Sequence, residues 1–469
     1  MKLFHCTALA LALAAAFPAQ AQSNADILKE LQALKDKVAA LEAQIQAQGS
    51  KAPAAAAGTA GTAQWGMTPE QTRELNRVGV KTEALEDAVE SQGLKLLKIS
   101  GFMDPTYLVN QRQNRAGFQF LNPVALDGYN YDNSYFGGAS IDFQKEMEGG
   151  TKWRLTLAPN RGTGSVIGDG SIVHEASVSV PLGDLQTRII AGQIPDWSGY
   201  EYLPATQNKL ITHNLLFDFT LPTAYTGAGM EITRDKWVVK WLLNNMNSSK
   251  RNAGERAPAF AYRVDYAKGE FNGFGFAGVH GYGSNYRALD ADGNAGINPV
   301  TGDPYKTKDT RLDLFEVDGY FIRGDWTVQG QLSYGQQKSA SITADPVTGE
   351  LRDSRWYGVS ALAAYKLTPR WEVVGRADYV NNRKNGGGLL GYTVADDRNG
   401  IGPDAMGDAE KGANRAALAL GLSWLYNLNT TFKAETRFDR ADMPVFLDVK
   451  TGEYRKSNTV FGTSVVVSF

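Results

Sequence analysis

The chain has 469 residues and a formal net charge of −2, from 48 Lys and Arg against 50 Asp and Glu. This balance gives no basic excess for nucleic acid, and no nucleic-acid partner is expected. The only cysteine, Cys6, lies in a predicted signal segment, so the mature chain should have neither disulfides nor thiolate metal sites.

Residues 1–21 have the pattern of a secretory signal peptide. Lys2 gives a positive start, residues 7–17 form a short apolar run, and Ala19 and Ala21 fit the small-x-small cleavage pattern. The run is too short to cross a membrane as a helix, and no later stretch approaches roughly 20 apolar residues. Any insertion into a membrane must therefore use strands.

Residues 22–48 carry a heptad pattern that predicts a coiled coil. Three heptads alone are marginal in water, so we expect association with copies of the same helix. The alternative is one amphipathic helix that lies on a domain, and the pattern does not fix the number of helices. The apolar positions are Ile27, Leu31, Leu34, Val38, Leu41 and Ile45.

Residues 49–66 are rich in Ala, Gly and Thr, which predicts a flexible linker. A second helical segment is predicted over 67–93, with Pro69 in its first turn. Its apolar stripe is weaker because Thr82 occupies a core position. From residue 94 the apolar period changes from about 3.5 to 2, which marks a domain boundary.

The remainder, 94–469, reads as alternating strands. Short turns alternate with long connections rich in Gly, Asn, Asp and Pro, the asymmetry of an outer-membrane barrel. The predicted fold class is all-β: an antiparallel transmembrane barrel of about sixteen strands after an N-terminal α-helical coiled coil. The predicted strands are 95–109, 135–146, 151–159, 173–181, 185–193, 226–233, 236–246, 258–268, 272–283, 309–322, 325–337, 354–366, 371–382, 413–426, 430–440 and 457–469.

Each predicted strand has an apolar and a more polar face. In strand 325–337, Trp326 and Val328 share one face, and Gln329 and Gln331 share the other. Strand 309–322 fits less well, because its apolar residues lie on both faces, and a β-bulge would reconcile them. Four tryptophans follow tight turns, where an aromatic girdle at a membrane interface would lie: Trp153, Trp237, Trp326 and Trp371.

The last strand places Phe461, Val465, Val467 and the terminal Phe469 on one face. It resembles the closing strand of bacterial outer-membrane barrels, many of which end on Phe. The alternative is a large soluble β-sandwich or β-solenoid. In lipid a strand array must close into a barrel to pair its backbone groups, and about sixteen strands leave an aqueous lumen. We therefore predict passive diffusion of small hydrophilic solutes.

The third long connection, 194–225, is too apolar to lie in water without cost, so we expect it to fold inward and narrow the lumen. Here the chain resembles trimeric porins, whose third loop forms the constriction. An extracellular cap or a trimer latch are the alternatives. The polar residues predicted at the constriction are Asp196, Glu201, Lys209, His213 and Asp218.

The inward-facing charges are balanced in sign, and opposite charges two residues apart on one strand face lie roughly 7 Å from each other. Some are expected to pair and others to select ions. The predicted pore-lining residues are Arg154, Arg188, Lys240, Arg263, Asp265, Arg376, Asp378, Lys433, Glu435 and Arg437, with Asp142, Glu175, Glu316 and Asp439.

The N-terminal coiled coil together with the barrel resembles the phosphate-selective and dicarboxylate (DcaP-like) porins. The resemblance implies a homotrimer in the bacterial outer membrane, in contact with lipid and lipopolysaccharide, with the coiled coil in the periplasm. It also implies a preference for small anions or dicarboxylates, which the residue count does not.

No enzyme signal is convincing, and neither a cofactor nor a metal ion is expected. The GxGxxG spacing at 273–278 lies in a strand, and the acidic stretch 290–294 lacks the later ligands of a calcium loop. Two other functions remain open: a tether that contacts the cell wall through the coiled coil, and a barrel hydrolase with His213 or His280 as base.

Overall fold

The computed structural model describes residues 68–91, 95–120, 137–158, 172–246, 258–269, 271–284, 296–305, 309–390 and 394–469. The predicted signal peptide, coiled coil, linker and acidic stretch 290–294 lie outside these ranges. The chain divides into two compact units with their boundary at Leu97 and Lys98. The first described helix belongs to one unit and the strands after Leu97 to the other.

Helix α1 (Pro69–Ser91) begins with a reciprocal cap. Thr68 Oγ1 accepts a hydrogen bond from the Gln71 amide at 3.2 Å, and Gln71 Oε1 accepts one from the Thr68 amide at 2.9 Å. Such a capping box, followed by proline in the first turn, fixes the start of a helix. Leu75 and Val78 on its apolar stripe are exposed. None of the described helices is both long and apolar enough to cross a membrane.

The strands, in chain order, are β1 (Leu97–Met103), β2 (Thr106–Asn110), β3 (Arg115–Gln119), β4 (Ala139–Glu146), β5 (Lys152–Leu157), β6 (Val173–Leu182), β7 (Asp184–Pro195), β8 (Ala224–Arg234), β9 (Trp237–Met246), β10 (Ala259–Gly269), β11 (Asn272–Ser284), β12 (Asp309–Arg323), β13 (Trp326–Gln337), β14 (Ser354–Lys366), β15 (Trp371–Asn381), β16 (Arg415–Asn427), β17 (Thr430–Ala441), β18 (Phe446–Asp448), β19 (Glu453–Arg455) and β20 (Ser457–Ser468). Helix α2 (Leu215–Phe219) lies between β7 and β8, and short 3₁₀ turns span Glu148–Gly150 and Lys384–Gly386.

Eighteen of these strands form one closed antiparallel sheet, and β18 and β19 form a separate hairpin. Strands β1 and β2 both pair with β20, so together they occupy the place of one strand in the barrel wall, which is interrupted at Asp104 and Pro105. We call each such place a barrel position. Strands β3 and β4 share the next position, since β3 pairs with β2 and β4 with β1. The barrel therefore has sixteen positions, and the prediction of a sixteen-stranded antiparallel barrel is confirmed. The sequence did not predict β3 or the β18–β19 hairpin.

The two faces of the barrel strands differ as predicted. In β13, Trp326 and Tyr334 are exposed on the outer face, whereas Gln329 and Gln331 are buried on the inner face. Strand β14 alternates in the same way from Ser354 to Ala364. Because the outer face is apolar and the inner face polar, this is the reverse of a soluble β-sandwich.

Strand β12 has no bulge. Its register with β11 and β13 is continuous, so the predicted bulge is wrong. Phe315 and Phe321 are exposed on the outer face, while Leu312 and Leu314 are buried on the inner face. The two leucines share an apolar cluster with Leu216 of α2, which is why apolar residues occur on both faces.

Three of the four predicted girdle tryptophans pair with an aromatic ring directly across the neighbouring strand. Trp237 lies 4.7 Å from Tyr266 between ring centroids, and Trp326 lies 4.7 Å from Tyr365. Trp371 stacks on Trp424 at 5.6 Å. Such cross-strand pairs stabilise a sheet by roughly 0.2–1 kcal/mol each.

Three long connections contain the same local turn, at 298–303, 345–350 and 448–453. In each, the side-chain oxygen of the first residue accepts a hydrogen bond from the backbone amide two residues later, at 2.8–3.1 Å. The fifth residue is a glycine with φ between 70° and 76°. These Asx turns form from sequence-local hydrogen bonds, which explains their recurrence in otherwise different connections.

Candidate functional site

The connection between β7 and β8, residues 196–223 (the 196–223 segment), is largely buried. Helix α2 within it begins at Asn214, whose Oδ1 accepts the amides of Leu216 and Phe217 at 2.9 and 2.8 Å. This cap satisfies two amides that a short helix leaves free at its start. The apolar residues of the segment that are buried are Tyr200, Leu210, Ile211, Leu215, Leu216, Phe219 and Leu221.

Arg376 on the inner face of β15 binds the segment through several hydrogen bonds of its guanidinium. Its Nη1 donates to Glu201 Oε1 at 2.8 Å and to the Thr212 carbonyl at 2.7 Å. Its Nη2 donates to the His213 carbonyl at 2.8 Å, and its Nε to Asp378 Oδ2 at 3.2 Å. Arg376 is 1% exposed. A buried guanidinium with all its nitrogens bonded fixes the segment against this strand.

Strand β17 contacts the same part of the segment through two charged residues. Glu435 accepts the amides of Ile211 and Thr212 at 2.6 and 2.8 Å, and the Thr212 hydroxyl at 2.6 Å. Arg437 donates to the His213 carbonyl at 2.6 Å. The backbone of 211–213 is therefore bonded by side chains from two wall strands.

Two lysines tie the earlier part of the segment to the wall. Lys433 Nζ on β17 donates to the carbonyls of Ala205 and Asn208 at 2.7 and 2.6 Å. Lys209 Nζ pairs with Glu372 on β15 at 2.7 Å. Lys433 belongs to the wall and binds the segment, whereas Lys209 belongs to the segment and binds the wall.

The start of the segment is held from β10. Arg263 Nη1 donates to the Trp197 carbonyl at 2.8 Å. The same guanidinium pairs with Asp265 at 2.7 Å and with Asp318 on β12 at 2.6 Å. The segment therefore contacts charged wall residues from β10 to β17.

Burial shifts the ionisation of three segment residues. It raises the pKa of Glu201 to about 7, although Arg376 acts to lower it, and raises the pKa of Asp196 to about 6. It lowers the pKa of His213 to about 3. A buried neutral imidazole is favoured because charging it without water is costly.

His213 and His280, the two bases of the hydrolase alternative, lie in different surroundings. His213 Nε2 lies 3.0 Å from the Tyr202 carbonyl, and its ring stacks on Phe217 at 4.2 Å. His280 is exposed on β11 and lies 3.1 Å from Asp313. Asp218, also a predicted constriction residue, lies 4.0 Å from His213.

Two glycines of the barrel wall lie against leucine side chains of the segment. A Cβ at Gly358 on β14 would lie 2.3 Å from Leu216 Cδ2 and 2.7 Å from the Tyr379 carbonyl oxygen. A Cβ at Gly421 on β16 would lie 2.3 Å from Leu210 Cδ2. At these two positions a leucine of the segment occupies the space that a wall side chain would need.

We expect Gly358→Ala to destabilise the barrel by about 1–3 kcal/mol, because the new methyl group overpacks a closed contact. Gly375→Ala on the outer face of β15 is the control, since its Cβ would only meet Leu420 at 3.7 Å, an ordinary contact. Denaturant unfolding of the two variants in detergent measures the difference. Equal midpoints would show that the segment does not press against β14.

The wall from β4 to β9 carries charges that stay partly exposed. Arg154 pairs with Asp142 at 2.8 Å and with Glu175 at 3.3 Å, and its side chain is 42% exposed against 10% for each acid. Lys240 pairs with Glu231 at 3.0 Å, with 33% and 27% of the side chains exposed. The cation is the more exposed partner in each case.

Arg188 differs from these residues, since it is only 6% exposed. Its Nε donates to Ser179 Oγ at 2.6 Å, and its Nη2 donates to the Gly150 carbonyl at 2.5 Å. It therefore joins β7 to the turn before β5.

Several partners in this network were not among the predicted site residues. Glu372 and Asp318 share the inner face with predicted residues of the same strands, so strand parity could have found them. Glu231 could have been found in the same way on β8. Thr212 and Ser360, which bonds the Tyr200 hydroxyl at 2.5 Å, carry no charge that would have drawn attention.

A family model described as "Protein of unknown function (DUF3138)" matches residues 1–469. No curated protein matches the chain.

Solved structures similar to the chain are bacterial outer-membrane proteins and porins. In-vitro folded OmpT, an outer membrane protein of Vibrio cholerae, has 11% identity and a TM-score of 0.49 over 80% of this chain and 97% of that one. The anion-selective porin from Comamonas acidovorans has 10% identity and a TM-score of 0.47, over 80% and 99%. Pseudomonas putida OprB has 10% identity and a TM-score of 0.48, over 84% and 97%. The DcaP-like subtype stays a prediction.

Proposed function

The chain belongs to the family described as "Protein of unknown function (DUF3138)", and we propose that it is an outer-membrane porin for passive diffusion of small hydrophilic solutes. One observation carries this proposal: a closed sixteen-position barrel with an apolar outer face and a polar, charged inner face. Barrels of this size enclose water, while the outer face is matched to lipid. The outer face contacts lipid and lipopolysaccharide in the bacterial outer membrane.

The 196–223 segment lies in the bore and narrows it. Its support is the set of hydrogen bonds to inner-face residues from β10 to β17, which outer-face or extracellular placement would not allow. On this side the wall charges are buried in contacts with the segment. The passage then runs along β4 to β9, where Arg154 and Lys240 remain partly exposed.

The passage prefers small anions, including dicarboxylates. In two ion pairs along β4 to β9 the cation is more exposed than its acid: Arg154 with Asp142, and Lys240 with Glu231. A solute in the bore is therefore in contact with the guanidinium and ammonium donors more than with the carboxylates. Partly exposed guanidinium and ammonium groups in a narrow pore attract anions and repel cations.

The assembly is a homotrimer, with the residues before the barrel in the periplasm. The heptad pattern of 22–48 supports self-association, and it gives the trimer a coiled coil outside the membrane. The tether function would need this segment to bind the cell wall as well. Deletion of residues 23–93 separates the two, because a porin keeps its conductance while a tether loses envelope attachment.

Planar-bilayer recording of the purified protein tests the channel. We expect stepwise conductance in groups of three, and a reversal potential under a salt gradient that favours anions. A sealed bilayer after verified insertion would contradict the porin function. Ester cleavage by the same preparation would support the hydrolase instead.

Neutralising the two exposed cations tests the anion preference. We expect Arg154→Gln combined with Lys240→Gln to move the reversal potential towards cations, since Asp142, Glu175 and Glu231 remain. The control is Arg234→Gln, whose side chain is 51% exposed and pairs with Asp184 near a turn. An unchanged reversal potential in the double variant would place the passage elsewhere.

A further inference from the structure

Arg415, the first residue of β16, is buried between two aromatic rings. Its guanidinium carbon lies 5.0 Å from the ring centroid of Phe219 in α2 and 5.3 Å from that of Phe446 in β18. The residue is 4% exposed. A guanidinium in this position has lost nearly all contact with water, so each of its donors needs a partner.

Only part of that need is met by the protein. Nη2 donates to Asp439 Oδ1 at 2.7 Å, whereas Nε and Nη1 have no hydrogen-bond partner among the described residues. Asp439 also accepts from Arg437 at 3.1 Å.

A small cavity adjoins this guanidinium. It measures about 10 Å³. Its lining includes Leu215 and Phe219 of α2, Asn382 after β15, and Leu389 and Ile401 from the long connection before β16. A cavity of this size holds one water-sized particle. It is too small for a phosphate or a carboxylate.

We propose that this cavity, the Arg415 cavity, binds one small monovalent anion of halide size. Arg415, with two N–H donors that have no partner among the described residues, lines this mostly apolar cavity, which suits a particle that only accepts hydrogen bonds. A water molecule would need acceptors for its own hydrogens, usually two to four polar partners in total.

The bound anion joins three parts of the barrel. The lining comes from α2, from the end of β15 and from the connection between β15 and β16. An anion there links the 196–223 segment to this connection. The bound anion would stabilise the folded barrel and would not itself be transported. This site is therefore independent of which solute passes through the bore.

Denaturant unfolding of the full mature protein in detergent tests the site, with sodium chloride, sodium bromide or sodium gluconate at equal ionic strength. We expect the midpoint to rise with chloride or bromide and to level off, with little change in gluconate. Arg415→Gln should remove the rise. Arg234→Gln should retain it, because Arg234 pairs with Asp184 beside a turn and neither residue lines the cavity.

Crystals soaked in bromide give a second readout that does not depend on a folded variant. The expected anomalous peak lies within hydrogen-bond distance of Arg415 Nε and Nη1. Equal midpoints in gluconate and chloride for the wild type, or a water molecule with no anomalous signal in the cavity, would each overturn the assignment.

Discussion

Arg376→Gln is expected to lower the free energy of unfolding by about 3–5 kcal/mol, because it leaves buried Glu201 and Asp378 without their cation. Glu201 and Asp378 are 4% and 5% exposed, so water does not replace the guanidinium. The carbonyls of Thr212 and His213 also lose a donor. Denaturant unfolding in detergent measures the loss of stability.

The same variant should change the channel. Once Arg376 no longer holds residues 212 and 213, the 196–223 segment is expected to move, and single-channel conductance should become larger and noisier. Arg154→Gln is the control for charge removal, since Arg154 is half exposed and bonds no segment residue among those described. Lower stability with unchanged conductance would mean that the segment does not narrow the passage.

A second substitution separates the ion pair from the carbonyl contacts. In Glu201→Gln combined with Arg376→Gln, neither member of the closest pair is charged, so part of the lost stability should return. If the double variant is as unstable as the sum of the single variants, the Thr212 and His213 carbonyl contacts carry the effect.

The barrel strands were predictable from sequence because alternation is a local property. Strand β14 was predicted with its observed bounds, 354–366, and the faces of β13, β15 and β17 follow from parity alone. The interruption of the first barrel position at Asp104 and Pro105 was not predicted. Proline removes a ladder donor there, and this position then holds two strands where one was expected.

Pairing between charges was predictable only where both partners share a strand. Arg376 with Asp378 and Arg437 with Asp439 do pair two residues apart. Lys433 and Glu435 have the same spacing, yet they bind backbone groups of the 196–223 segment. The choice depends on which wall strands face the segment, and this is a property of the closed barrel that no local pattern contains.

The inner leucines illustrate the same limit. Leu312 and Leu314 suggested a β-bulge because strand parity placed them on the polar face. They are buried there because the segment brings Leu215 and Leu216 to the same cluster. Apolar residues on the polar face of a barrel strand thus indicate where another part of the chain packs.

Two adjacent positions on β6 give the sharpest test of which face meets lipid. Val178 is 45% exposed on the outer face, while Ser177 lies on the inner face and bonds Glu175 at 2.6 Å. Val178→Arg should destabilise the folded barrel in lipid vesicles by about 2–4 kcal/mol, the cost of arginine near the middle of a bilayer. Ser177→Arg at nearly the same depth should fold almost normally.

The comparison is informative because both variants add the same side chain to the same strand. In a membrane barrel the two costs differ by the transfer of arginine from water to hydrocarbon, and the inner variant also increases the preference for anions. In a soluble β-sandwich Val178 would face a core and Ser177 water, so the order of the costs would be the same, but neither cost would depend on lipid. Measuring each variant in vesicles and in detergent isolates the lipid contribution, because polar headgroups and water reach an outer-face arginine more easily in a micelle.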